Sequence, residues 1–293
     1  MDLGLNRISR KISTEIEIEL QRIGLLFRIF GRAKSEESIE RKLVRKRYDN
    51  NIEGKKMQDI IGIRVVLYFK DDLPLVHKAL KSKFPYLDET IDESEETVFA
   101  PNRLNLIFRL SNSDSEEVEE IAVKKYRYID KTYEVQLRTM LSEGWHEIEH
   151  DLRYKCHEDW ENQQEMSRTM NGLYASLETN DWSILSLFDQ LSYEHYKARN
   201  VAAMLRHKFR IRLSNELINA ELLEIIHGSQ SNLLKKIYRT DRKEFLNKIF
   251  DDGVKFPLTM SNLIFVLNGY YFNDMNILKL TPDFLLDKNE IFG

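Results

Sequence analysis

No disulfide can form within this chain, because its 293 residues include a single cysteine, Cys156. That scarcity suits a reducing compartment, and the expected location is the cytoplasm. Long apolar runs are also missing: nothing approaches the roughly eighteen residues that a membrane span needs, so no membrane association is expected. The start, MDLGLNRISRKIS, is basic but has neither a continuous apolar core nor a small-residue cleavage site, so it is not expected to be a signal peptide. Five prolines and eleven glycines are too few for a long linker of the usual composition. Neither sign of charge dominates, since the formal net charge is −4, so partners must be sought in local clusters. What remains, 42% hydrophobic and 31% charged residues, describes a globular chain long enough for one large or two modest domains.

The most informative stretch is Lys131–Thr139, KTYEVQLRT. Tyr133, Val135 and Leu137 alternate with Glu134, Gln136 and Arg138, the period-two pattern of a half-buried strand. One face would pack on a core while the other carries an acid, an amide and a guanidinium. A second strand, Met57–Phe69, is rich in β-branched residues and contains an isolated acid and base, Asp59 and Arg64. Two acids on neighbouring strands, flanked by arginines, suggest metal-assisted phosphate chemistry.

Around these strands the pattern reads as follows. Ile8, Ile12, Ile16, Leu20, Ile23, Phe27 and Phe30 recur at helical spacing, predicting an amphipathic helix ended by Gly31. In GRAKSEESIERKLVRK (31–46) a second helix begins after Ser35, with Ser38 close behind. Arg32 and Lys34 approach its N-terminus and Lys42 lies two turns on. Such cations beside free backbone donors make a polyphosphate site, the alternative being a solvated basic face. Leu73–Phe84 reads as a helix, Leu104–Leu110 as a strand, and Met140–Lys155 as a helix with Leu141, Trp145, Ile148 and Leu152 on one face. The acidic runs Tyr86–Thr97 and Asp114–Glu120 read as solvated loops. Beyond about residue 160 the pattern is helical throughout, including Tyr193–Leu213, Leu217–Ile226, Asn232–Tyr238 and Glu244–Phe250. The expected fold is therefore α+β, a mixed β-sheet flanked by helices over 1–160, followed by an all-α accessory domain over 161–293.

Four pieces in order resemble the synthetase domain of the RelA/SpoT family, the nucleotide pyrophosphotransferases that make (p)ppGpp. GRAK with Ser38 and Lys42 is similar to its nucleotide segment, QDIIGIRVV to its metal-binding strand, YEVQLRT to its catalytic strand, and WHEIEHDLRYK to its closing helix. The last is most similar to the small single-domain synthetases and their toxin relatives. The resemblance covers roughly residues 25–156 and implies a nucleotidyltransferase-like sheet. It implies ATP as pyrophosphate donor and Mg2+ as cofactor, held by Asp59. Glu134 would be the general base or would share the metal. Arg32 and Lys34 would bind ATP, with Ser38, Lys42, Arg64, Gln136 and Arg138 in support. The implied acceptor is the 3′-hydroxyl of a guanosine nucleotide, or the 3′ end of tRNA as in the toxin relatives. A non-catalytic nucleotide sensor on the same fold is the alternative. An oligomer is compatible with all of these readings.

The chain departs from that family in one loop. Where the family carries proline–asparagine–glycine–tyrosine–x–serine–x–histidine, this chain has Pro101, Asn102, Arg103, Leu104, Asn105, Leu106, Ile107 and Phe108. The tyrosine that stacks on the acceptor base falls at Leu104; Tyr126, Tyr128 or Phe99 are the aromatic residues that could replace it. Two further motifs stand apart. His146–His150 (HEIEH) satisfies the HExxH zinc-protease pattern, whose histidines would share a helix face. Arg199, Arg206 and Arg210, in the acid-poor stretch 195–213, can share a helical face able to meet RNA phosphates. The acidic runs could instead fold against that basic helix and restrain activity.

Overall fold

The computed structural model describes residues 2–46, 56–91, 104–126, 128–228 and 232–286. Its elements begin with α1 (Asp2–Arg22), β1 (Phe27–Ala33), α2 (Glu36–Lys46), β2 (Ile61–Leu67), α3 (Leu73–Lys83) and β3 (Tyr86–Ile91). They continue with β4 (Leu104–Arg109), α4 (Asn112–Val118), β5 (Thr132–Thr139), α5 (Met140–Glu149) and the long α6 (Gln164–Lys197). Only helices follow: α7 (Val201–Phe209), α8 (Ala220–Gly228), α9 (Leu233–Arg239), α10 (Arg242–Asp251), α11 (Met260–Leu267), α12 (Met275–Leu280) and α13 (Asp283–Leu286). The fold class is the expected one, a mixed sheet with helices followed by a helical region.

Two compact units result: Met1–Glu19 with Phe27–Asp181, and Leu20–Leu26 with Trp182–Gly293. A division at 160/161 falls inside the first, because α6 belongs to the first unit as far as Asp181.

In the first unit the strand order is β1-β2-β5-β4-β3. The central pair β2–β5 is parallel and every other pairing is antiparallel. Val65 and Leu67 of β2, Val135 and Leu137 of β5, and Leu106 and Phe108 of β4 are all essentially inaccessible. Each such side chain contributes about 1.5–3 kcal/mol by leaving water, so this face is the unit's core. Phe108 stacks on Tyr133 at 5.3 Å and meets Phe84 and Tyr86 edge-on at 6.1 Å. α1 and α3 cover the same face.

The helix expected to reach Phe30 stops at Arg22. Gly24 sits at φ +76°, while the Gly24 and Leu25 amides donate to the carbonyls of Gln21 and Leu20. That is a Schellman cap, and it ends the helix whatever the spacing of later apolar residues. Phe27–Ala33 then pairs antiparallel with β2. Gly31 is no helix stop: a Cβ there would lie 2.3 Å from Ser13 Oγ and 2.8 Å from Ser9 Oγ, so its role is close approach of β1 to α1.

Other departures have equally local causes. The predicted strand over Met57–Phe69 shrinks to Ile61–Leu67, with Met57 forming only an isolated bridge to Ile129. Tyr86–Ile91 of the first acidic run is an edge strand whose Glu89 meets His77 and Lys81 from α3. Charged side chains are a usual feature of edges. Residues 92–97 lie outside the described residues. The second acidic run forms α4, capped by Ser111, and Asp114 and Glu117 pair with Lys11 and Arg7 of α1. Those acids are thus committed within their own unit.

In the second unit Tyr193–Leu213 is not one helix. Arg199 adopts φ +57° and Asn200 caps a new helix, α7. Leu217 precedes α8 and is 94% exposed. Phe209, Leu222, Ile237, Phe245 and Leu263 fill this unit's core, where buried Arg242 donates through Nε to the Phe209 carbonyl at 2.6 Å.

Gly31→Ala should destabilise the protein by about 1–3 kcal/mol through overpacking against α1, read as a fall in thermal midpoint. An unchanged midpoint would refute the close-approach role.

Candidate active site

Directly opposed residues on paired strands share a face. The β2–β5 register sets Gly62 beside Glu134 and Arg64 beside Gln136, while β4 adds Ile107 opposite Glu134 and Asn105 opposite Gln136. On β1, Arg32 lies opposite Gly62 and is exposed. These residues form the face opposite the core. A Cβ at Gly62 would meet nothing within 4 Å, so the sheet is open next to Glu134.

Asp59 is not on the strand but in the segment leading into β2, and two lysines clamp it there. Lys34 Nζ donates to Asp59 Oδ2 at 2.7 Å and to its carbonyl at 3.0 Å. Lys42 Nζ reaches the same Oδ2 at 2.7 Å. Local structure brings all three together. The Lys34 amide bonds to the Ile60 carbonyl at 2.8 Å. The Ser35 hydroxyl caps α2 by accepting from the Ser38 amide, and α2 then carries Lys42 over Asp59. Ser38 therefore acts in the cap, where its hydroxyl also receives a bond from Ser35.

The remaining Asp59 oxygen, Oδ1, is buried with no hydrogen-bond partner. An orphaned carboxylate oxygen beside a second carboxyl is a donor set that suits a hard divalent cation, provided phosphates and water complete the shell. Among the described residues no group of three or more His, Cys, Asp or Glu is placed to hold a metal.

Glu134 is held by Gln136, whose Nε2 donates to Glu134 Oε2 at 2.7 Å. Gln136 Oε1 in turn accepts from Arg64 Nε at 3.4 Å. Arg64 NH1 bonds Glu143 at 2.5 Å and also Glu147, both on α5. Glu143, Glu147 and Asn105 were not predicted from sequence. The two acids were detectable as an i,i+4 pair on a helix that starts where β5 ends. Asn105 carried no such signal.

The two central carboxyls are driven apart electrostatically. Burial would raise the Asp59 pKa, but the ammonium groups of Lys34 and Lys42 outweigh it and hold the group below the usual carboxylate range. Burial raises the Glu134 pKa, and the Asp59 charge raises it further, against smaller opposing effects from Gln136 and the lysines. One carboxyl stays charged while its neighbour is primed to take up a proton, a division common in acid–base sites.

Arg138 lies on the polar face of β5 as expected, opposite Val66, but is only 7% exposed. Leu104, Leu106 and Phe108 lie on the core face, opposite Leu137, Val135 and Tyr133. Of the aromatic substitutes, Tyr126 is buried and donates to Glu40, Tyr128 is described and partly buried, and Phe99 lies outside the described residues, as do Pro101, Asn102 and Arg103. Arg199, Arg206 and Arg210 share no face. Arg199 sits in the turn before α7 and donates to the His227 carbonyl at 2.6 Å. Arg206 is exposed on α7, whereas Arg210 is a buried, left-handed C-cap paired with Asp189 at 3.1 Å.

The HExxH pattern is also accounted for without metal. His146 is buried against the rings of Trp145 and Tyr174, Glu147 pairs with Arg64, and His150 bonds Asp151 at 2.9 Å. The π turn His150–Tyr154 ends α5, leaving Ile148 and Leu152 exposed rather than on the packed face.

Glu134→Gln should raise the thermal midpoint at neutral and alkaline pH. The folded-state pKa of Glu134 is raised, so its ionisation weakens the fold as pH climbs through that value. The amide removes this penalty and keeps the bond from Gln136. A gain of about 2–4 °C corresponds to about 1 kcal/mol in a chain of this size. It should vanish as pH falls to the ordinary carboxylate range; a gain independent of pH would contradict the assignment.

The chain is similar to several known proteins. Residues 31–159 match the family described as a region found in RelA / SpoT proteins. GTP pyrophosphokinase YjbM of Bacillus subtilis (strain 168) is 28% identical over 160 residues, covering 50% of this chain and 70% of that protein. Among solved structures, small alarmone synthetase 1 from Bacillus subtilis is 19% identical with a TM-score of 0.47, over 63% of this chain and 92% of its own. A GTP pyrophosphokinase family protein from Streptococcus pneumoniae is 17% identical with a TM-score of 0.49, over 69% and 94%. The matched stretch, residues 31–159, contains Asp59, Glu134 and the two lysines.

Proposed function

We propose that the RelA/SpoT region of this chain is an ATP-dependent pyrophosphotransferase acting on the 3′-hydroxyl of a guanosine nucleotide. The observation that carries the reading is the divided carboxyl pair, lysine-clamped Asp59 beside desolvated Glu134, inside the region that matches the family. The name of the B. subtilis relative supports GTP as an acceptor.

In this reading Glu134 takes the proton of the acceptor hydroxyl as its oxygen attacks the β-phosphorus of ATP. The bond between that phosphorus and the bridging oxygen to the α-phosphate breaks, and AMP leaves. Asp59 Oδ1 and Glu134 would hold Mg2+, which neutralises charge on the transferred phosphates. Lys34, Lys42 and Arg32 face the donor phosphates, and Gln136 fixes the Glu134 carboxylate through the bond from Nε2. Arg64 orients Gln136 from the other side. No helix of the described residues is long and apolar enough to cross a membrane. The single cysteine keeps cytoplasmic location part of this reading.

No observation favours tRNA as acceptor, because the basic face expected from Arg199, Arg206 and Arg210 does not form. The sensor reading would require a site that binds ATP without transferring it.

The test supplies Mg2+ and ATP labelled at its β and γ phosphates, with GDP, GTP and bulk tRNA as separate acceptors. Label should move to GDP or GTP, and Asp59→Ala and Glu134→Ala should each lower the rate by about 10²–10⁴-fold. Activity should rise with pH through the raised pKa of Glu134, since only its ionised form accepts a proton. ATP binding without transfer to any acceptor would sink the proposal in favour of a sensor.

A further inference from the structure

Attacking and leaving oxygens lie roughly in line across a transferred phosphoryl group. The cations suited to the donor, Lys34, Lys42 and Arg32, all sit on the β1–β2–α2 side of Glu134. The acceptor must then approach from the opposite side, over β5 and β4. The core-facing residues of β4, Leu104, Leu106 and Phe108, cannot meet it there, because they pair across the ladder with Leu137, Val135 and Tyr133. On the open face β4 offers Asn105, Ile107 and the exposed Arg109. Of these, Asn105 has a side-chain oxygen, Oδ1, that is buried and accepts no hydrogen bond. A buried acceptor left unpaired is costly and rare in folded proteins, and one beside a reacting group is a natural place for a ligand donor.

Register fixes where that oxygen lies. Asn105 opposes Gln136, and Glu134 lies two residues from Gln136 on the same strand and face. Glu134 and Asn105 are therefore diagonal neighbours, with Cβ atoms about 7–8 Å apart in such a ladder. Two side chains reaching toward each other across that spacing can hold adjacent hydroxyls of one ribose. Gln136 is not free for this task, because it already bonds Glu134 and Arg64.

We infer that Asn105 is an acceptor-specificity residue whose Oδ1 receives a hydrogen bond from the hydroxyl next to the reacting one, so that the site selects ribonucleotide over 2′-deoxyribonucleotide acceptors. The inference rests on the acceptor reading given above but is read out by binding rather than by turnover.

The full chain with Mg2+ is titrated calorimetrically with GTP and with dGTP, and the same is done for Asn105→Ala and Asn105→Asp. The unaltered protein should bind GTP about ten-fold more tightly than dGTP, the discrimination expected from one lost hydrogen bond to an enclosed acceptor. Asn105→Ala should bring the two affinities within about two-fold by weakening GTP alone. Asn105→Asp keeps an accepting oxygen and should keep the preference, which separates a recognition role from damage to the sheet. Equal affinities in the unaltered protein, a preference retained by the alanine variant, a preference lost in both variants, or no GTP binding would each overturn the inference. Failure of pyrophosphate transfer with the ribose preference intact would instead overturn the proposed reaction alone.

Discussion

The parallel pairing of β2 with β5 is the constraint on which the rest of the first unit depends. It places Gly62 beside Glu134 and Arg64 beside Gln136, while Ile63, Val65, Val135 and Leu137 turn to the core. A slip of one residue would exchange the two sets completely. Such a slip would drive Glu134, Gln136 and Arg64 into the packed face, so the apolar residues that stabilise the sheet also hold the polar row in place. The junction at Thr139 adds to this. Its side chain caps α5 in a reciprocal box with Ser142 and donates to Asp181 at 2.7 Å, tying the strand end to α5 and to α6.

Within that frame the site works by asymmetry between two carboxyls. Lys34 and Lys42 both bind Oδ2 of Asp59, which leaves Oδ1 orphaned and keeps the charge on that residue. The same negative charge, together with burial, opposes ionisation of Glu134. A lone buried glutamate would be an ordinary defect. One whose neighbour is held toward its charged form by two lysines, and whose geometry is fixed by Gln136, is poised to change protonation state. Arg64, held by Glu143 and Glu147, supplies the rigid end of that network.

What the sequence made legible follows from which physical effects are local. The alternation of Tyr133, Val135 and Leu137 revealed β5, because one face is buried and the other is not. The Ser35 cap and the gathering of Lys34 and Lys42 about the start of α2 were likewise readable from short-range spacing, whereas their meeting with Asp59 depends on the pairing of β1 with β2. The helix expected to reach Phe30 followed apolar spacing that carries on past Gly24, where the helix itself does not. β3 escaped notice because an edge strand tolerates charges that a central strand would not. Arg210 looked like part of a basic helical face, yet its burial depends on a left-handed cap and on Asp189, which no periodicity reports. Asn105 was invisible for a related reason, since its importance comes from its register with Gln136 rather than from its neighbours in sequence.

Apolar residues at 104, 106 and 108 add to the core, where Phe108 completes a cluster with Tyr133, Phe84 and Tyr86. That gain in packing is made on the face away from the carboxyls and leaves the Asp59–Lys34–Lys42 clamp untouched. In the reaction proposed above, the clamp that would serve the donor and the packing of the sheet are therefore separate features. Among the described residues the open face of β4 presents an amide, an isoleucine and a guanidinium rather than a stacking ring, so the proposed acceptor selection there acts through hydrogen bonding, charge and shape.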